Sequence, residues 1–160
     1  MEVNASASLQ LHRETDFSEE KDKISSSLGA VKDPLLIQRV LDFAISDQVR
    51  SQDSVSVIST AAANKNGREL AWKFFQKNLD LFKDRYSNSF LGSSLVKSVT
   101  GTFASEDRAR EVESFFAKNQ FEGTEMAVRQ SVESIRINSN WLSRDSKTIL
   151  DYLKSTIKAD

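Results

Sequence analysis

The chain has 160 residues and a mass of 18.0 kDa, with 22 Lys and Arg against 23 Asp and Glu, a formal net charge of -1. That length favours one domain with one hydrophobic core, and the near-cancelling charge argues against a nucleic-acid binder. Cysteine is absent and His12 is the only histidine, which excludes disulfides, thiolate nucleophiles, Cys-based metal sites and multi-histidine zinc sites, and would rest any Ser-His-Asp triad on one residue near the N-terminus.

The first fifteen residues, MEVNASASLQLHRET, lack the basic start and apolar run of a secretory signal. No stretch approaches the length of about 18 apolar residues that spans a bilayer. A cytoplasmic protein without membrane contact is expected.

The apolar pattern is helical throughout. SEEKDKISSSLGA is the first candidate helix, with Ile24 and Leu28 on one face and Gly29 as its stop. Asp33-Pro34 opens the second, an N-cap followed by proline at the first helical position. Leu36, Ile37, Val40, Leu41 and Ala44 recur along it at helical spacing.

The third segment, from about Asp53 to Asn64, carries the β-branched run Val55, Val57, Ile58. A lone strand would have no partner here, so a helix capped by Asp53 is the better reading. Gly67 starts a long fourth helix reaching Tyr86, with Leu70, Phe74, Phe75, Leu79, Phe82 and Tyr86 on one broad face. Trp72 lies off that stripe and is expected to pack sideways on a neighbour.

FLGSSLVKSVTG is the fifth, stopped by Gly101. Ser105-Glu106-Asp107 begins the sixth, whose apolar face is Val112, Phe115 and Phe116. Gly123-Thr124-Glu125 opens the seventh, lined by Val128, Val132, Ile135 and Leu142, with Trp141 near its end at a packed junction. Asp145 caps an eighth carrying Ile149, Tyr152 and Leu153. The pattern divides into pairs at about 18–46, 53–87, 89–118 and 124–157, a near-constant period that suits stacked helical repeats.

Candidate chemistry is sparse. Glu19, Glu20 and Asp22 read as a solvated first turn. Glu111 and Glu113 are two apart and diverge on a helix, Asp107 and Glu111 form an ordinary surface pair, and Glu125 with Arg129 a helix-stabilising one. No glycine begins a phosphate-binding loop. Basic residues Arg39, Arg50, Lys97, Arg129 and Arg136 are candidate contacts for peptide carboxylates or an acidic partner.

Four blocks of sequence carry a family resemblance: TDFSEEKDKISSSLGAVKDPLLIQRVLDFAISDQVRSQDSVSVI, GRELAWKFFQKNLDLFKDRY, FLGSSLVKSVTGTFASEDRAREVESFF and EMAVRQSVESIRINSNWLSRD. In that order they resemble the C-terminal helical domain of the M1 zinc aminopeptidases, most of all the puromycin-sensitive type. The turn NQFEGTE departs from the family, which often has a proline there.

The resemblance implies an all-α, HEAT/armadillo-like right-handed stack of antiparallel helix pairs with seven or eight helices. Residues 1–15 would be a tail or partial helix and residues 16–157 the repeat domain. It implies a non-catalytic module that forms part of a peptide chamber wall and influences substrate access and domain closure. Catalytic, cofactor and metal residues are then expected to be none in this chain, with zinc only in a catalytic domain that is missing here. Partners would be that catalytic domain or peptide substrate, with self-association through an exposed N-terminal end near Leu9, Leu11 and Leu28. The other reading is a free-standing helical-repeat interaction module. MEVNASAS does not read like the interior of a repeat and fits the start of a short product.

Overall fold

In a computed structural model of the chain, the structure describes residues 31–157. The first candidate helix, His12, the acidic cluster at 19–22 and the apolar end at Leu9, Leu11 and Leu28 lie outside the described residues.

Seven helices make up the described residues: α1 Pro34–Ala44, α2 Ser51–Ala63, α3 Arg68–Lys77, α4 Leu79–Tyr86, α5 Phe90–Thr100, α6 Glu106–Lys118 and α7 Glu125–Ile157. Several start where local chemistry provides for it. The Asp33 carboxylate accepts from the Leu35 amide at 2.8 Å ahead of Pro34. The Ser105 hydroxyl accepts from the Arg108 amide at 3.3 Å, and Ser89 does the same for Gly92.

Three expectations change. α2 begins at Ser51, not at Asp53; Asp53 sits in the first turn and takes the Arg50 guanidinium at 2.7 Å instead of capping the helix. The long helix over 67–86 is two. At Asn78 both the backbone N–H and the side-chain amide donate to the Phe74 carbonyl, at 3.1 and 2.9 Å, and the chain turns before Leu79. The seventh and eighth helices are one. No glycine or proline interrupts residues 124–157, and Asp145 pairs with the Arg144 guanidinium rather than with backbone N–H groups. The β-branched run of α2 is helical and buried, because α2 packs against α1, α3 and α5 together.

Six of the helices form two layers, α1, α3 and α6 in one and α2, α5 and α7 in the other, and α4 follows α3 and packs on α5. Pairs α1/α2, α3/α5 and α6/α7 cross between them, and α2–α5 and α5–α7 contacts run along the second layer. Trp72 joins α3 to α6, with its ring centroid 5.3 Å from Phe115 and 6.4 Å from Phe116. It packs sideways, as expected.

Hydrogen bonds between successive repeats stitch both edges of the stack. On one edge, Asn64 donates to the Val31 carbonyl, Arg68 to Thr102 and Asn138 to Phe103, across 33, 34 and 35 residues. On the other, Arg85 donates to Ile45 and the Tyr86 hydroxyl to Ser51, across 40 and 35 residues. Contacts that recur at separations of 33 to 40 residues mark a repeat, and the fold is a HEAT/armadillo-like stack of helix pairs.

Phe74, Phe75, Leu79, Phe82, Leu95, Val132 and Ile135 are all buried, as the apolar spacing predicts. Trp141 and Leu142 are not. They lie on the part of α7 that runs beyond the stack, and both are exposed.

Candidate functional site

α6 and α7 are the last pair, antiparallel and joined by the turn 119–124. Gly123 makes that turn possible. Its φ is +81°, and a Cβ there would stand 2.7 Å from the Asn88 Cα. Asn88, itself at φ 56°, donates its amide to the Glu122 carbonyl at 2.9 Å, so the α4–α5 and α6–α7 turns lock together.

The two faces of α6 do different work. Glu111 and Glu113 diverge, as their spacing requires. Glu111 turns toward α3, where it accepts from the Trp72 indole at 2.6 Å and the Arg108 guanidinium at 2.5 Å. Arg108 also pairs with Glu69 of α3 and lies 4.6 Å from the Phe103 ring centroid. Partial burial opposes ionisation of Glu111. The hydrogen bonds from Trp72 and Arg108, with the charges of Arg108 and Lys73, outweigh it and hold the carboxyl below its ordinary value. Glu111 is thus a partner of the core rather than half of an ordinary surface pair with Asp107.

Glu113 turns the other way, into a groove between α6 and the first half of α7 on the side facing away from α3. The groove encloses about 680 Å³. Its floor is apolar, from Phe116, Phe121, Val128 and Val132, and its rim is charged, from Glu113, Glu125, Arg129, Glu133 and Arg136. Arg136 is clamped across it, 3.0 Å from Glu113 and 3.3 Å from Glu106. The Glu113 hydrogen bond, with the Glu106 charge, raises the guanidinium above its ordinary value despite some desolvation. Glu106 also takes Arg110 at 3.3 Å.

The structure brings together two of the five basic residues picked out from sequence. Arg129 and Arg136 both line the groove, seven residues apart on α7. Among the described residues no ion pair engages Arg129. The expected Glu125–Arg129 pair is absent, and Glu125 accepts from the Gly123 amide at 3.3 Å instead. Arg39 is exposed on α1, Lys97 is exposed on α5, and Arg50 is bound to Asp53 ahead of α2. These three stand apart from the groove. Glu106 and Glu113, which position Arg136, carried no sequence signal of that role, since their partner lies on another helix.

An apolar floor between charged rims suits an amphipathic peptide segment, with Arg129 available to a carboxylate. Among the described residues no group of three or more His, Cys, Asp or Glu could hold a metal ion, and no helix is long and apolar enough to cross a membrane.

A family model described as the ERAP1-like C-terminal domain matches residues 3–137. The chain is similar to Aminopeptidase M1 of Arabidopsis thaliana, 37% identical over 139 residues, which is 87% of this chain and 16% of that protein. It is similar to Aminopeptidase N of Bos taurus, 31% identical over 147 residues, 89% of this chain and 15% of that protein. With Glutamyl aminopeptidase of Homo sapiens it shares 27% identity over 160 residues, 99% of this chain and 17% of that protein. The chain therefore spans about a sixth of the length of these relatives.

Proposed function

The chain belongs to the ERAP1-like C-terminal domain family, and from that premise we propose that this M1-type, non-catalytic module forms part of the wall of a peptide chamber and influences which peptides enter it. One observation carries the reading: the groove between α6 and α7, apolar at its floor and edged by Arg129 and the clamped Arg136. A peptide lying there would bury apolar side chains against Phe116 and Val132 and set a carboxylate near Arg129. Binding remote from the reacting bond then favours peptides long enough to reach both the groove and the reacting centre.

The family's zinc motif, H-E-x-x-H, cannot occur in a chain whose only histidine is His12. Hydrolysis in this proposal belongs to a catalytic domain that acts with this module. Within the family we infer the puromycin-sensitive type, on the strength of the four sequence blocks.

The test of the main reading joins this chain to the catalytic portion of an M1 aminopeptidase and compares Arg129→Ala with the unaltered chain. The expected result is a lower kcat/KM for long peptides and an unchanged value for an aminoacyl-coumarin. Equal effects on both substrates, or none on either, would remove the groove from substrate selection.

A further inference from the structure

The turn between α2 and α3 carries a reactive pair of residues. Asn66 is the only asparagine of the chain that precedes a glycine. Glycine has no Cβ to hinder its amide nitrogen, so that nitrogen can close on the side-chain carbonyl carbon of the residue before it. Asn66 is exposed, while Gly67 is buried. A Cβ at Gly67 would stand 2.3 Å from the Ala61 carbonyl oxygen and 3.4 Å from Ile37 Cγ2. Only glycine fits there, so packing itself keeps the reactive pair in the turn.

Asn64 holds the same turn on several sides. Its Oδ1 accepts from the Asn66 main-chain N–H at 2.9 Å. Its carbonyl accepts from the main-chain N–H of Gly67 at 2.9 Å and of Arg68 at 3.0 Å. Its Nδ2 donates to the Val31 carbonyl ahead of α1. The Gly67 N–H, which would have to lose its proton before reacting, is therefore engaged in the folded chain.

We propose that Asn66 is a site of spontaneous modification, converted to aspartate and isoaspartate when the α2–α3 turn opens, and that Asn64 is the residue that keeps it closed. In the open turn the Gly67 nitrogen, deprotonated by solvent base, attacks the Asn66 Cγ. A bond forms between that nitrogen and Cγ, the bond from Cγ to Nδ2 breaks, and ammonia leaves carrying a proton from water. Water then opens the cyclic imide. Attack at Cγ gives an ordinary aspartate, and attack at the main-chain carbonyl gives isoaspartate, whose main chain runs through Cβ.

The two products act differently on the fold. Aspartate sets a negative charge just ahead of α3, whose N-terminus has no side-chain cap, and this suits the helix dipole. Isoaspartate adds a main-chain carbon beside Gly67, which has no room to move against Ala61, and so loosens the turn. Because Asn64 also holds Val31, opening of the turn is linked to release of the chain ahead of α1. The modification then records how often this end of the stack comes apart.

The test incubates the full chain in mildly alkaline buffer, folded and in guanidinium chloride, and follows Asn66 by peptide mapping and mass spectrometry. The denatured sample gives the rate of the open turn. The folded chain should convert at least about tenfold more slowly, since its rate follows the open fraction. Asn64→Ala, checked for folding by circular dichroism, should recover much of that difference. Asn64→Asp keeps an acceptor for the Asn66 N–H but loses the donor to Val31, and its rate should fall between the two. Amide exchange at Gly67 reads the same opening in the unaltered chain, and its protection should match the slowing of conversion whether or not either variant folds. Equal conversion rates in the folded and denatured chains would overturn the proposal. So would a folded Asn64→Ala chain that converts no faster than the unaltered one, or an Asn66 that persists unchanged in denaturant.

Discussion

Trp72 of α3 gives its indole N–H to the carboxylate of Glu111 on α6 at 2.6 Å, and the two residues stand 39 positions apart. The indole is otherwise enclosed by Phe75, Phe103, Phe115 and Phe116. A buried N–H without an acceptor is costly, so this bond lets the largest side chain of the core sit at the junction of two repeats.

Removing only the donor tests that relationship. Trp72→Phe keeps an aromatic ring but loses the N–H, and should destabilise the chain by about 2 kcal/mol in urea melts. Glu111→Ala should cost a similar amount by leaving the indole unpaired. A double-mutant cycle should show strong non-additivity, because both changes remove the same bond.

Acid should act through the same carboxylate. The folded structure holds Glu111 below its ordinary value of 4.5, so its ionised form contributes stability above that pH. That contribution is lost as pH falls below 4.5 and through the depressed folded value. The melting temperature of the unaltered chain should therefore fall more steeply than that of Glu111→Gln on the acid side of this point. Above it the two curves should run parallel, and thermal melts across the acid range read the difference.

Phe82 is the centre of the aromatic stack. Its ring lies 5.6 Å from Phe75 at an interplanar angle of 9° and 6.3 Å from Tyr86. Phe82→Ala should cost about 3–5 kcal/mol, through lost transfer energy and a residual cavity. Denaturant unfolding with an unchanged m-value would assign the loss to the folded state.

Gly123→Ala should destabilise by about 2 kcal/mol, from positive φ together with the close approach to the Asn88 backbone. Because that turn holds α6 and α7 in register, the variant should also show faster amide exchange at Asn88, whose N–H is bonded to Glu122.

Asp145→Ala distinguishes one long helix from two short ones. A lost N-cap would cost about 1 kcal/mol. In a continuous α7, with Asp145 engaged only by exposed Arg144, the change should stay within about 0.5 kcal/mol. Helical content by circular dichroism should not fall.

Helices and their buried faces are legible in the sequence wherever the signal is local. Asp33-Pro34 and Ser105-Glu106 mark helix starts because the capping atoms lie within three residues of the amides they satisfy. Phe74, Phe75, Phe82 and Ile135 are readable as core because apolar residues repeat at the pitch of the helix. The resemblance in four ordered blocks reached the family for the same reason, since it needs only residues in order.

Tertiary structure alone decided the rest. Asn78 breaks one expected helix while Asp145 fails to break another, although both are residue types that end helices. What differs is which group each side chain finds, the Phe74 carbonyl in one case and Arg144 in the other. Trp72 is buried and Trp141 exposed because α6 covers one and nothing among the described residues covers the other. The groove itself could not be read from one helix at a time. Arg136 meets Glu106 and Glu113 only when the turn at Gly123 folds α7 back along α6. Local spacing fixes which side of a helix a residue occupies; what that side meets depends on packing between segments far apart in the chain.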